Sequence, residues 1–163
     1  MFGLLLTLMI STNTHQIVPQ NIQHKTHISY RYNSHDLHIM ALTIYGEARG
    51  ESYAGKVAVA NVIKNRYLIG KKYRKHTWGN SISGVCLANK QFSVWNDGGR
   101  FLNRVGKNNY HYQQSYAIAK GVMNGSIKDN TYGANHYHAT YVKPKWSRRL
   151  THTITIGNHI FYR

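Results

Sequence analysis

The spacing of apolar residues changes along this chain, and that change limits its fold more than any other feature. Within residues 37–48 and again within 109–124, the apolar positions recur every three or four residues, as they do on one face of a helix. From residue 136 onward they alternate, and β-branched and aromatic residues become frequent. Helices followed by strands predict an α+β fold, with a small antiparallel sheet in the last part of the chain.

Three helices are predicted before the alternating segments. The first has Ser34 as its N-cap and ends at Gly50, because a glycine after the last periodic residue is typical of a helix C-terminus. The second runs from about residue 52 to 67, and its apolar middle predicts a central helix buried nearly all round. The third covers residues 109–124. The face of the first helix predicted to be buried consists of Leu37, Met40, Ala41, Ile44, Tyr45 and Ala48.

The remaining segments are predicted to be connections and strands. Residues 69–80 should form a basic surface loop, and residues 82–87 a short element. Asp97 starts an Asp-Gly-Gly turn, and Gly157-Asn158 has the composition of a two-residue hairpin turn. The three predicted strands cover residues 136–142, 151–156 and 159–163.

The chain divides into a leader with a linker over residues 1–35 and one domain over residues 36–163. The apolar segment 2–10 is too short to cross a bilayer as a helix. It has the length of a signal-peptide core but lacks a preceding cation and a clear cleavage site, so export, anchoring and packing on the domain all stay open. The polar stretch 11–34 is typical of a linker. With Cys86 as its single cysteine, the chain cannot form an internal disulfide.

The charge of the chain predicts a polyanionic partner. It carries 21 Lys and Arg against 5 Asp and Glu, a formal net charge of +16. Nucleic acid, an anionic membrane surface and the bacterial cell wall all fit such a charge, and the charge alone does not choose among them.

Both glutamates of the chain lie in the segment YGEARGE, residues 45–51. Gly50 predicts a break between them, which leaves Glu51 at the start of the second helix, where it would complement the helix dipole. Glu47 lies at the end of the first helix, where a negative charge is disfavoured and the protonated acid is favoured. A carboxylic acid of this kind can protonate the leaving oxygen of a glycosidic bond, whereas a salt bridge to Arg49 or to another of the many cations is the structural alternative.

Four separated motifs resemble the spore cortex-lytic enzyme family of cell wall hydrolases. They are IYGEARGESYAGKVAVANVIKNR (44–66), QFSVWNDG (91–98), GANHYHATYVKPKW (133–146) and IGNHIFYR (156–163). The resemblance covers residues 36–163 in the order and spacing of the family. It implies an enzyme that cuts the glycan strands of peptidoglycan, with a compact fold related to lysozyme and lytic transglycosylases.

The resemblance also implies roles for individual residues. The family's catalytic glutamate is the first of the GEARGE motif, which is Glu47 here, and the second, Glu51, keeps its structural interpretation. The side chains expected to line the glycan groove are Tyr45, Gln91, Phe92, Tyr137, His138 and Trp146. Packing in the core would explain several of these positions equally well.

The small number of carboxylates bears on the mechanism. A glycosidase that uses two carboxylates needs a second acid, for which only Glu51 and three aspartates are present, with Asp97 the best of these. A turn aspartate that bonds its own backbone explains Asp97 as well. A lytic transglycosylase needs one residue, which first protonates the leaving oxygen and then deprotonates the muramic acid 6-hydroxyl. We therefore expect this reaction, with lysozyme-like hydrolysis as the alternative.

The expected partners follow from the same resemblance. They are peptidoglycan and other anionic wall polymers, with no cofactor, no nucleic acid and a monomeric protein located in the cell envelope by export or release. His136 and His138 have the spacing of a metal site, with His152 or His159 as a third ligand, but spacing is the only support for one.

Three other classes of function remain as alternatives. A nucleic-acid-binding module fits the charge, although the Lys and Arg residues are dispersed and no recognised motif is present. A non-catalytic wall-binding domain would follow if Glu47 were dispensable. A metal-dependent amidase would lose its activity in the presence of a chelator, whereas a glycan-cleaving enzyme would not.

Overall fold

The structure is a computed structural model, and it describes residues 32–73 and 78–163. The predicted leader and most of the predicted linker lie outside the described residues. Helices occupy the first part of the described chain and a three-stranded antiparallel sheet occupies the last, so the predicted α+β class is confirmed. None of the helices in these two ranges is long and apolar enough to span a membrane.

Four helices form the first layer. They are α1 (Ser34–Ala48), α2 (Tyr53–Tyr73), α3 (Ile82–Leu87) and α4 (Tyr110–Asn124). The second helix continues beyond its predicted end at residue 67, so the predicted basic loop 69–80 begins as helix. Tyr67 and Gly70 still face the core there, and Lys71 and Lys72 suit the negative end of the helix dipole.

The first helix begins one residue earlier than predicted. Asn33, not Ser34, is its N-cap, and the Asn33 side chain accepts a hydrogen bond from the backbone N–H of Asp36 at 2.8 Å. The Asp36 side chain bonds back to the cap, which completes a capping box. Its other oxygen accepts from the backbone N–H of Ser83 at 2.8 Å and thereby ties α1 to α3.

The central helix of the fold is α1 rather than α2 alone. It packs against α2, α3 and α4, and all six residues of its predicted face are buried. Thr43 is also fully buried, because its hydroxyl donates to the carbonyl of Ile39 and accepts from the indole of Trp95. A polar residue whose donor and acceptor are both hydrogen-bonded can lie in a core. For this reason the polar residues of α1 did not reveal, in the sequence, how completely the helix is buried.

The sheet packs against α2. Its strands are β1 (His136–Ala139), β2 (His152–Ile156) and β3 (His159–Tyr162), with β3 in the centre. Phe161 of β3 is fully buried against Ala58 and Val62 of α2. Gly157, with a φ of 56°, forms the predicted turn between β2 and β3.

Replacing Asp36 with alanine should destabilise the fold by about 1–3 kcal/mol, because the N–H of Ser83 and the cap of α1 both lose their acceptor. Urea unfolding followed by circular dichroism measures this loss. Asp97→Ala is the matched control, since the carboxylate of Asp97 accepts from Gly99 in its own turn and, among the described residues, bonds to no other segment. Equal losses in the two variants would contradict the role assigned to Asp36.

Candidate active site

Three donors surround the carboxylate of Glu47. Its Oε1 accepts from the hydroxyl of Ser93 and from the backbone N–H of Val94, both at 3.0 Å. Its Oε2 accepts from the phenol of Tyr137 at 2.9 Å. The donors belong to segments that are 46 and 90 residues distant in sequence, so the tertiary fold assembles this group.

A short helical turn over Ser93–Trp95 brings two of these donors to the end of α1. The indole of Trp95 donates to Thr43 at 2.9 Å, one helical turn before Glu47. Gly46 allows the close approach, because a Cβ at this position would collide with the side chain of Val94. Val94 therefore packs directly against the backbone of Gly46, next to Glu47.

The third donor, Tyr137, lies on the face of β1 that is turned towards the helices. Its ring contacts His159 and Phe161, with centroid distances of 5.0 and 5.6 Å. Burial, together with the charge of Glu47 and the hydrogen bond to it, holds the pKa of Tyr137 well above its usual value. The phenol therefore keeps its proton and can serve as a donor to Glu47.

A buried guanidinium links the two segments that supply the donors. Arg66 of α2 is 5% exposed, and its Nε donates to the carbonyl of Asn135 at 2.7 Å. The guanidinium also lies 5.0 Å from the ring centroid of Phe92. Burial lowers the pKa of Arg66, whereas the neighbouring Tyr137, Cys86 and Glu47 act to raise it. Arg66 thus braces the residues that precede Ser93 and Tyr137 in the chain.

Glu47 opens onto a surface cleft of about 360 Å³. The cleft is lined by Gly46, Glu47, Ala48, Arg49, Gly50, Glu51, Ala139, Tyr141, Asn158 and His159. Burial lowers the pKa of His159, while the two glutamates act to raise it. A neutral imidazole beside two carboxylates can donate or accept a hydrogen bond, so the cleft offers both kinds of contact to a polar ligand.

A larger cavity of about 570 Å³ lies at the other end of α1. It is lined by Ser34, His35, His38, Lys107, Tyr112, Gln113 and Tyr116. His38 and Tyr112 bond to each other there at 2.8 Å. No carboxylate lines this cavity among the described residues, so the glutamate cleft is the better candidate for acid–base chemistry.

Glu51 binds the sheet rather than its own helix. Its two oxygens accept from the backbone N–H and the side-chain amide of Asn158, at 3.2 and 3.0 Å. The first turn of α2 is capped by Ser52, whose hydroxyl accepts from Gly55. Glu51 lies at the start of α2 against Gly55, where it was predicted, and its carboxylate also joins the helix junction to the β2–β3 turn. Only the fold brings Asn158 to that point.

Asp97 and the residues before it have local contacts. Asp97 accepts from the N–H of Gly99 at 3.1 Å, and Gln91 donates weakly to the carbonyl of Asn89. Phe92 is 2% exposed and packs in the core beneath Arg66. Tyr45 is buried too, with its ring stacked on Phe101.

Arg49 does not pair with Glu47. Its guanidinium lies 4.8 Å from the ring centroid of Phe101 and donates to the carbonyl of Gly46 at 3.3 Å. The salt bridge that could have explained Glu47 structurally is therefore replaced by a cation–π contact. The carboxylate of Glu47 therefore bonds to Ser93, Val94 and Tyr137 and also faces the cleft.

His138 and Trp146 lie away from Glu47. Side chains alternate along a strand, so His138 points to the face of β1 opposite to Tyr137, and Trp146 packs on it there at a centroid distance of 5.5 Å. His136 contacts the same Trp146. Within the two described ranges, no group of three or more His, Cys, Asp or Glu residues could hold a metal ion.

The sequence did not single out several residues of this site. Ser93 and Val94 stand in a motif next to Gln91 and Phe92, yet nothing in their types marks them as donors to Glu47. Arg66 closes the first motif, and a buried arginine cannot be distinguished from a surface one by sequence alone. These contacts depend on long-range packing.

Comparison with known proteins finds relatives among the enzymes that act on cell walls. Residues 50–162 match the Cell Wall Hydrolase family. A spore cortex-lytic enzyme of Halalkalibacterium halodurans is 31% identical over 142 residues, which are 86% of this chain and 38% of the relative. This chain thus spans well under half of that relative's length.

Two solved structures share the fold. The catalytic domain of the Bacillus cereus SleB protein matches with a TM-score of 0.66 and 30% identity, over 86% of this chain and 99% of that domain. The catalytic domain of the germination-specific lytic transglycosylase SleB from Bacillus anthracis matches with a TM-score of 0.64 and 31% identity, over 81% of this chain and 97% of that domain.

Replacing Gly157 with alanine should destabilise the protein by about 1–2 kcal/mol, because an L-residue is strained at this positive φ. The added Cβ would also collide with the carboxylate of Glu51. Thermal unfolding measures the effect. Gly50→Ala is the control, since its Cβ meets no atom within 4 Å. A Gly157→Ala protein as stable as that control would contradict the contact between Glu51 and the turn.

Proposed function

This chain belongs to the Cell Wall Hydrolase family, and from that membership we propose that it cleaves the glycan strands of peptidoglycan as a lytic transglycosylase. The bond cut is the one between muramic acid and glucosamine, and Glu47 is the general acid and base. The similarity to the lytic transglycosylase SleB of B. anthracis supports the reaction type. The family match begins at residue 50, after Glu47, so the assignment of Glu47 rests on its own geometry and on the motif around it.

The observation that carries the proposal is the carboxylate of Glu47, which opens to the cleft and is held by Ser93, Val94 and Tyr137. Its position is determined by three hydrogen bonds from separate segments, as an acid–base group requires. Because the N–H of Val94 can only donate, Oε1 stays an acceptor. The hydroxyl of Tyr137 can turn to accept as well as donate, so Oε2 is the oxygen that we assign to carry the transferred proton.

The reaction then proceeds in two proton transfers. Glu47, protonated on Oε2, gives its proton to the glycosidic oxygen as the bond from that oxygen to the anomeric carbon of the muramic acid breaks. The resulting carboxylate takes the proton of the muramic acid 6-hydroxyl, whose oxygen attacks the same anomeric carbon. The products are a 1,6-anhydro-muramic acid end and a free glucosamine hydroxyl. Glu47 regains its proton, and no water is consumed.

The contacts of the other carboxylates favour a single-glutamate reaction over hydrolysis with a second acid. Both oxygens of Glu51 accept from Asn158, and Asp97 accepts from its own turn. Glu51 does line the cleft, so lysozyme-like hydrolysis assisted by Glu51 is the second candidate. That reaction would require its carboxylate to release the turn or to act on water while bound to it.

The partner and the location follow from the substrate. A protein of net charge +16 is attracted to a wall that carries carboxylates and phosphates. We therefore assign it to the cell envelope, acting as a monomer on peptidoglycan and in contact with anionic wall polymers. Bound nucleic acid has no part in this function.

Replacing Glu47 with glutamine should abolish cleavage of purified peptidoglycan, because an amide cannot transfer the proton. Mass spectrometry of the wild-type digest should find muropeptides with anhydro ends, lighter by one water than hydrolysis products. Glu51→Gln and Asp97→Asn are the matched controls and should yield the same anhydro products.

Reducing ends in the wild-type digest would favour hydrolysis, with Glu51 as the second carboxylate. Cleavage that survives in Glu47→Gln would refute the site assignment. A folded wild-type protein that cleaves no wall preparation would indicate a binding domain.

Replacing Tyr137 with phenylalanine should lower kcat/KM by about 10- to 100-fold, since one hydrogen bond to a charged group is lost beside the reacting oxygen. Turnover of peptidoglycan, monitored by the release of soluble fragments, measures the change. Tyr112→Phe also loses a hydroxyl that is bonded to a side chain, but near the other cavity. Its turnover should stay near the wild-type value, and an equal loss in both variants would argue against the role of Tyr137.

A further inference from the structure

One face of the sheet carries a group of aromatic and imidazole rings outside the cleft. Trp146 is in the centre of the group, with ring centroids of His136, His138 and Tyr162 at 5.4, 5.5 and 5.7 Å. His152 of β2 contacts Tyr162 from the other side at 5.8 Å. We call these five residues the outer ring cluster. Trp146 itself is 36% exposed.

The outer ring cluster is held in place by hydrogen bonds. Nδ1 of His138 donates to the carbonyl of Ala139 at 2.9 Å, because a carbonyl can only accept. Its Nε2 bonds to the hydroxyl of Tyr162 at 3.0 Å, and the two rings are stacked. Rings fixed in this way lose little conformational freedom when a ligand packs on them.

This cluster and Glu47 lie on opposite faces of the sheet. Tyr137 and Phe161, on the inner face, pack towards the helices, and Tyr137 bonds to Glu47. His138 and Tyr162 alternate with them and therefore face outward. The cleft is nevertheless close along the chain, since Ala139 and Tyr141 line it and Trp146 follows.

Positively charged residues flank Trp146 of the outer ring cluster in the sequence. The segment that carries Trp146 has four exposed cations, Lys143, Lys145, Arg148 and Arg149. No Asp or Glu occurs from residue 130 to the last residue. All five carboxylates of the chain are elsewhere in the sequence, so these cations are not neutralised by neighbours in this part of the chain.

An exposed tryptophan and a half-buried tyrosine beside uncompensated cations suit a polymer of sugar rings that also carries carboxylates. We propose that the outer ring cluster and the cations of residues 143–149 form a second glycan-binding surface, which holds a stretch of peptidoglycan away from the cleavage site. This inference rests on the proposed function, because it takes peptidoglycan as the substrate. The apolar faces of the sugars pack on Trp146 and Tyr162, while the lactyl and stem-peptide carboxylates meet Arg148 and Arg149.

Such a surface would serve a polymer substrate. A strand held outside the cleft raises the local concentration of the remaining glycosidic bonds at Glu47, in the way that a second module does in bivalent binding. The charges also steer an anionic wall fragment to the protein, with a dependence on ionic strength.

The test is co-sedimentation with purified peptidoglycan sacculi, using the Glu47→Gln protein so that the sacculi stay intact. Adding Trp146→Ala to this protein should raise the apparent Kd about ten-fold or more, as the loss of a central aromatic contact does. Adding Arg148→Gln and Arg149→Gln should weaken binding several-fold and reduce its dependence on salt.

Two matched controls distinguish binding by this surface from non-specific binding. Tyr110 is 69% exposed at the start of α4, and Tyr110→Ala should leave binding unchanged. The double variant Lys120→Gln with Lys128→Gln also removes two positive charges, at exposed positions outside residues 143–149. It should change binding less than the arginine pair does. If the outer-surface variants bind as tightly as these controls, the second surface does not exist.

A second comparison identifies the ligand. Sacculi treated with hydrofluoric acid lose their phosphate polymers but keep their glycan strands. Binding that persists after this treatment, and still depends on Trp146, supports the glycan assignment. Binding that disappears would overturn it and assign the surface to a phosphate polymer.

The two proposals can fail separately. Cleavage by the wild-type protein tests the lytic transglycosylase, and sedimentation of the Glu47→Gln variants tests the surface. Cleavage without any effect of Trp146 on binding would refute the surface alone. Trp146-dependent binding to sacculi that the wild-type protein does not cut would refute the enzyme alone.

Discussion

The hydrogen bonds to Glu47 are the interaction on which the rest of the site depends. They join the end of α1, the turn over residues 93–95 and strand β1 around one carboxylate. Each segment must be in place for the group to form, and each is held by a buried contact of its own: Trp95 by Thr43, and the start of β1 by Arg66. Core packing thus gives the half-buried carboxylate of Glu47 the fixed orientation that the proposed acid–base role requires.

The second glutamate, Glu51, makes a structural contact. Glu51 is placed by the break between α1 and α2 and holds the β2–β3 turn through Asn158. The turn carries His159 into the cleft beside Glu47. One short acidic segment therefore supplies both the candidate acid, Glu47, and the contact that holds the β2–β3 turn at the cleft. Two carboxylates close in sequence have separate roles because different partners satisfy them.

The sheet separates two environments. Its inner face completes the core and supplies Tyr137, whose buried phenol keeps its proton and can donate to Glu47. Its outer face carries the ring cluster around Trp146, next to a cationic segment. Because side chains alternate along a strand, consecutive residues of one motif, His136 to His138, contribute to both faces. A polymer substrate makes such an arrangement useful, since it extends far beyond any single cleft.

The sequence by itself determined the class of fold, the limits of α3 and α4 to within one residue and the hairpin turn at Gly157, because each rests on local pattern or on a glycine with a required conformation. Its motif also singled out Glu47 as the candidate acid. The tertiary structure alone decided that α1 is central, since Asp36 and Thr43 are polar residues whose buried bonds cannot be read from the chain. It also decided which residues serve Glu47. Ser93, Val94 and Tyr137 are distant in sequence, and only packing brings them within hydrogen-bonding distance of one carboxylate.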